Sequence, residues 1–149
     1  MKIKIPLSKE QYKSLIKVIY LGEWLVNSYR IPPDRDKEID EIAHYIFSYT
    51  KGFEVEDLLK YDKKFNKVFP TLKLEEMLHP GYVEEYDNEI FWDGLIQRLA
   101  ERDFVNEYAE KEILKMEPVE RIMKIEKLRE KYNEEFVENG LENVIVKIN

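Results

Sequence analysis

The sequence predicts a mainly α fold: a compact helical domain of about five helices, with a small two-stranded sheet formed by the N- and C-terminal segments. Three observations point to it. Apolar residues recur at helical spacing around residues 9–30, 82–102 and 117–139. Alternation with a period of two is confined to the ends, where Ile3 and Ile5 alternate with Lys2 and Lys4, and Val144, Val146 and Ile148 alternate with Ile145 and Lys147. No Gly/Ser-rich linker, low-complexity tract or internal repeat divides the 149 residues, so 1–149 reads as a single domain. A chain of this length buries roughly 70% of the surface its unfolded form exposes, which is enough for a substantial core.

Each element has its own signal. Residues 2–6 read as a strand that ends at Pro6. Ser8 and Gln11 form a capping box that starts a helix running to about Arg30. Leu15, Ile16, Val18, Ile19, Leu21, Trp24, Leu25 and Val26 lie almost all round this helix, so it is expected to be central and covered on several sides. Gly22 in its interior suggests a close neighbour there. Ile31-Pro-Pro33 stops the helix, and Asp34 or Asp36 caps a second one that reaches Lys51 before Gly52, with Ile39, Ile42, Ala43, Ile46 and Phe47 as its apolar face. A short helix is expected over Glu54–Lys60, then a basic, aromatic connection over Tyr61–Lys73, then a short helix from Thr71 to the stop at His79-Pro-Gly81. Asp87 or Asn88 caps the next helix, whose buried face is Phe91, Trp92, Leu95, Ile96 and Leu99. Glu117-Pro118 opens the last helix, which buries Ile122, Ile125, Leu128, Tyr132 and Phe136 and ends at Gly140. Residues 143–148 supply the second strand. The two terminal strands are expected to pair, since a lone strand leaves its backbone groups unsatisfied.

Composition narrows the chemistry. With no cysteine, thiol nucleophiles, disulfides and cysteine zinc sites are excluded, and a cytoplasmic setting is expected. No apolar run approaches the roughly 18 residues of a membrane span. Closely spaced glycines, which phosphate-cradling loops need, are missing from the five present. The formal charge of −7 argues against nucleic acid as a ligand, because phosphate neutralisation supplies most of non-specific affinity. The charge is also polarised. Residues 1–20 and 60–73 are each net +4, whereas 74–112 hold twelve acids against three bases, net −9. Lys9, Lys13 and Lys17 form a line on the first helix, the ordinary solvated stripe of an amphipathic helix.

Two constellations resemble catalytic or metal sites in composition. Asp40, His44 and Ser48 sit at i, i+4 and i+8, but a serine in mid-helix has no oxyanion hole, because the neighbouring N–H groups are bonded within the helix. Glu41 precedes His44 by three residues and Glu76 precedes His79 by three, the spacing used in helical dinuclear carboxylate sites. His44 is expected to point away from the apolar face of its helix and His79 lies at a helix end, so the four are not expected to converge, and neither a metal nor another cofactor is expected. The surface best suited to recognition is the acidic, aromatic run of Tyr82, Glu84, Glu85, Tyr86, Asp87 and Glu89. The functional reading is therefore a non-enzymatic cytoplasmic protein-interaction or regulatory module with an acidic surface, whose partner is another protein or a second copy. The alternative is a helical metal-dependent enzyme using carboxylate and histidine.

Overall fold

The structure, a computed structural model, describes residues 4–145. It is mainly helical: α1 (Lys9–Asn27), α2 (Lys37–Phe47), β1 (Leu59–Asp62), β2 (Lys67–Pro70), α3 (Leu72–Leu78), a π-helical turn (His79–Val83), α4 (Glu84–Glu107), the single-turn α5 (Glu110–Ile113) and α6 (Pro118–Asn139). The chain packs as two units that divide between Glu85 and Tyr86.

The first unit is built on α1. Its start follows the capping box, with Ser8 Oγ accepting from Gln11 N at 3.2 Å and Gln11 Oε1 accepting from Ser8 N at 2.9 Å. The helix is not covered all round. Tyr12, Ile16 and Tyr20 are buried at i, i+4 and i+8 against Ala43 and Phe47 of α2 and Leu74 and Leu78 of α3, together with Val55, Leu58 and Leu59. Val18 and Leu25 are exposed instead, and the space beside Gly22 is open. Leu15, Ile19, Leu21 and Trp24 are partly buried against the same core, so α1 is covered on several sides and the strip with Val18, Gly22 and Leu25 is left in water. The helix also ends earlier than Arg30. The side chain of Asn27, fully buried, accepts from Asp36 N at 2.8 Å and donates to Asp36 O at 3.2 Å, tying the end of α1 to the N-cap of α2 across the Ile31-Pro-Pro33 loop.

The sheet does not come from the termini. β1 and β2 form an antiparallel hairpin in mid-chain, with Leu59 opposite Pro70, Lys60 opposite Phe69, Tyr61 opposite Val68 and Asp62 opposite Lys67. Of the two expected strands, residues 4–6 and 143–145 are not extended partners of any strand, and the remaining residues of each lie outside the described ones. Val144 N donates to Leu141 O instead, closing a turn after α6. A turn over residues 56–58 and the start of β1 stand where a helix was expected over Glu54–Lys60, and the rest of the hairpin stands where an irregular connection was expected. Its loop is set by two residues: Asp62 Oδ1 accepts from Lys64 N and Phe65 N, and Asn66 takes the left-handed backbone at φ 52°, which asparagine tolerates better than most residues. Its base is closed by Thr71, whose N donates to Leu58 O and whose hydroxyl donates to Asp57 O at 2.6 Å.

Thr71 also caps α3, but the helical path does not stop at His79-Pro-Gly81. Pro80 sits at the opening of the π-helical turn, where its missing N–H costs little, and Glu84 N donates to His79 O. α4 continues directly from that turn, so neither Asp87 nor Asn88 is a cap; Asn88 Oδ1 instead accepts from Trp92 Nε1 at 3.1 Å.

In the second unit α4 and α6 lie antiparallel. Ile96, Ala100 and Phe104 of α4 and Phe136 of α6 are its buried residues, and Trp92 packs against Phe136 with ring centroids 5.4 Å apart. Polar clasps flank this strip. Arg129 donates to Asp93 and Gln97, and Lys124 lies 4.5 Å above the Tyr108 ring. Ile122, expected on the buried face, is exposed, because the buried strip of α6 is narrow. Gly140 at φ 57° terminates α6.

Candidate interaction surface

The histidine constellations resolve into structural contacts. His44 is half-buried on α2 and is covered by the hairpin: its Nδ1 lies 3.1 Å from Val68 O and its ring meets Phe69 edge-on at 5.1 Å. Its Nε2 faces Asp40 Oδ2 at 3.7 Å, and Asp40 in turn pairs with Arg35 and Lys67. Arg35 also reaches Glu23 at 2.5 Å, which extends the network back to α1. The Ser48 hydroxyl donates to Tyr45 O at 2.7 Å, within its own helix, and takes no part. Asp40 and His44 thus meet without a nucleophile beside them, in a network that fastens the hairpin and the α1–α2 loop to α2. No local sequence pattern announces this network, because its members come from four separate elements.

His79 is engaged elsewhere. The Tyr20 hydroxyl lies 2.7 Å from its Nε2, and the Trp24 ring approaches it edge-on at 5.9 Å. Burial, followed by the negative charges of Glu75 and Glu23, pushes the Tyr20 phenol up to about 12. The phenol therefore keeps its proton through neutral pH, and the two side chains share one hydrogen bond. Glu41 and Glu76 are exposed. Among the described residues no group of three or more His, Asp or Glu is arranged to hold a metal ion.

A third polar cluster lies on the seam of the α4–α6 pair. Tyr132 donates to Asp103, and Arg102 pairs with the same carboxylate and donates to the Tyr132 hydroxyl at 3.1 Å. The hydrogen bond from Tyr132, reinforced by Arg102, holds the Asp103 carboxyl below the usual carboxylate range. Burial, then the bond to Asp103, pushes the Tyr132 phenol up. Each group is used by the next, as in a clasp.

The acidic run is different in kind. Tyr82, Glu84 and Glu85 at the end of the first unit, and Tyr86, Asp87 and Glu89 at the start of the second, are all exposed. None of the four glutamates and aspartates in 84–89 has a cation within ion-pair distance among the described residues. Nor do they serve a free helix start, since α4 is entered from the π-helical turn and Glu84 N is already bonded. Ile90 and Phe91 on the next turn are exposed too.

The basic stretches fare unequally. Lys9 pairs with Glu54, Lys13 with Glu10 and Lys73 with Asp57, whereas Lys17 of the first-helix stripe has no carboxylate within ion-pair distance among the described residues. Lys60, Lys63 and Lys64 on the hairpin are exposed and have no carboxylate within ion-pair distance among the described residues. The hairpin was legible in principle, because Asp62 and Asn66 flank a short loop between Leu59-Tyr61 and Val68-Phe69.

Fold and surface define a mainly helical chain with a short hairpin, a polarised charge distribution and no helix long and apolar enough to cross a membrane among the described residues. Comparison of the chain with protein-family models, curated proteins and solved structures returns no match.

Proposed function

We propose that the chain is a non-enzymatic protein-interaction or regulatory module that recognises a basic protein surface through the exposed run Tyr82, Glu84, Glu85, Tyr86, Asp87 and Glu89. The observation that carries this reading is the set of four exposed carboxylates with neither an ion-pair partner nor a helix terminus to serve. Like charges at i, i+4, as in Glu85 and Glu89, cost a few tenths of a kcal/mol in a helix. A partner that brings lysine or arginine removes that repulsion, and Tyr82 and Tyr86 supply the flat, amphipathic area common at binding hot spots. Steering by such a field is strongest at low ionic strength.

The test compares the wild-type chain with a Glu85→Lys/Glu89→Lys variant in co-purification from the native cell, followed by titration of the recovered partner in purified form. The reading expects at least one protein with a basic surface, a second copy of the chain included, whose binding weakens about tenfold or more in the variant and also weakens as salt is added. Partner sets that are identical for the two forms would overturn it.

A further inference from the structure

We infer that the basic surface recognised by this acidic run is the β1–β2 hairpin of a second copy of the chain. The inference rests on the reading above and names its partner. The hairpin is the complement of the run in charge and in apolar content. Lys60, Lys63 and Lys64 project without ion-pair partners, and Tyr61 and Phe65 stand beside them at 53% and 59% exposure. Against them stand Glu84, Glu85, Asp87 and Glu89 with Tyr82 and Tyr86.

The knob is also pre-organised, which lowers the entropic cost of docking. Asp62 fixes the backbone of the loop, the Tyr61 hydroxyl donates to Asn66 Oδ1 at 2.6 Å, and Phe65 rests on Phe69 with centroids 5.9 Å apart. Lys64 Nζ lies 5.2 Å from the centre of the Phe65 ring, so cation and aromatic are offered together. The other lysine of the hairpin, Lys67, is already held by Asp40, and pairing of this kind is what Lys60, Lys63 and Lys64 lack. The acidic run of another copy is present at the same concentration as the hairpin itself, and it brings Tyr82 and Tyr86 beside its carboxylates to meet Tyr61 and Phe65. The two surfaces differ, so the contact is heterologous: it closes only if it is made reciprocally or around a ring, and otherwise propagates head to tail.

Sedimentation velocity of the full chain over a wide concentration range, at low and at high salt, tests this directly. Mass is expected to grow with concentration at low salt and to fall back to the monomer at high salt. Lys63→Glu/Lys64→Glu and Glu85→Lys/Glu89→Lys are each expected to stay monomeric, with helical circular dichroism unchanged since all four positions are exposed. An equimolar mixture of the two variants is expected to recover association, because each then carries the complement of the other. A wild-type chain that stays monomeric throughout, a hairpin variant that associates like the wild type, or a mixture that fails to recover would overturn the inference. If the wild type stays monomeric while Glu85→Lys/Glu89→Lys still loses a different basic protein, this inference falls and the broader reading stands; if neither is seen, both fall. Salt-sensitive binding of a labelled single-stranded oligonucleotide by a monomeric wild type, lost in Lys63→Glu/Lys64→Glu, would overturn it in favour of nucleic acid.

Discussion

The phenol oxygen of Tyr20 lies 2.7 Å from Nε2 of His79, joining α1 to the π-helical turn from which α4 continues. Because the folded phenol is pushed up to about 12, mainly by burial, while an unfolded tyrosine titrates near about 10, the folded state binds more protons between those values. Stability from this source is complete below about pH 10 and is lost as pH rises from there through about 12. Alkaline unfolding followed by circular dichroism should therefore show a fall in stability over that window. Tyr20→Phe should flatten it, at the expense of the hydrogen bond to His79. An unchanged alkaline profile in the variant would show that another group controls it.

Ile16 is fully buried while Leu25, on the same helix, is 51% exposed. Ile16→Ala should destabilise the chain by about 2–5 kcal/mol through lost transfer energy and the cavity left behind. Leu25→Ala should cost well under half as much, because water already reaches most of that side chain. Denaturant midpoints of the two variants measure the contrast directly, and equal losses would contradict the uncovered strip of α1.

Asn27 is the buried polar residue whose loss should be felt furthest along the chain. Replacing it with alanine removes the acceptor of Asp36 N, leaves Asp36 O with Asp40 N as its donor, and removes a fully buried side chain. An unsatisfied buried group costs about 1–3 kcal/mol. Asn27→Ala is therefore expected to lower stability by at least that much and to raise amide exchange at Asp36 and in the first turn of α2. Exchange rates that stay at wild-type values there would show the clamp to be dispensable.

Gly22 offers the opposite outcome. It lies in the interior of α1, and a Cβ added there meets nothing within 4 Å. Gly22→Ala should stabilise the chain by about 0.5–1 kcal/mol, chiefly by restricting the unfolded state. For a chain of this size that is a rise of roughly 1–4 °C in the thermal midpoint. A lower midpoint would mean that the glycine serves a contact not apparent in the described structure.

The helices were legible in the sequence where a local rule decides them. Ser8 with Gln11, Asp36, Thr71 and Pro118 each mark a helix start that the structure contains, and the mainly helical character follows from periodicity alone. The hairpin leaves only a weak mark in the sequence, since a four-residue strand such as Lys67–Pro70 is too short for alternation to stand out, and its proline and lysine resemble a loop. No local signal marks the continuation through Pro80 and Gly81, because both are ordinarily helix breakers, whereas a π-helical turn tolerates them here. Which strip of α1 is left in water could not be read from α1 at all; it depends on where α2 and α3 pack. For the candidate surface, exposure of Tyr82 and of residues 84–89 agrees with the acidic composition of that stretch, while the pairing that neutralises Lys9 and Lys73 but spares Lys63 is a product of tertiary structure.

The closed base of the hairpin has a consequence for how this protein can change over time. Thr71 seals the stem to Asp57 and Leu58, and the hydrogen bonds made by the loop stay between residues 61 and 66. Substitutions or insertions among Lys63, Lys64 and Phe65 therefore leave the core around Ile16 untouched. The tip can drift in charge, length and aromatic content under selection for binding alone, which makes it the natural place for lineages to diverge and for a foreign epitope or fluorophore to be grafted without refolding the helices beneath it.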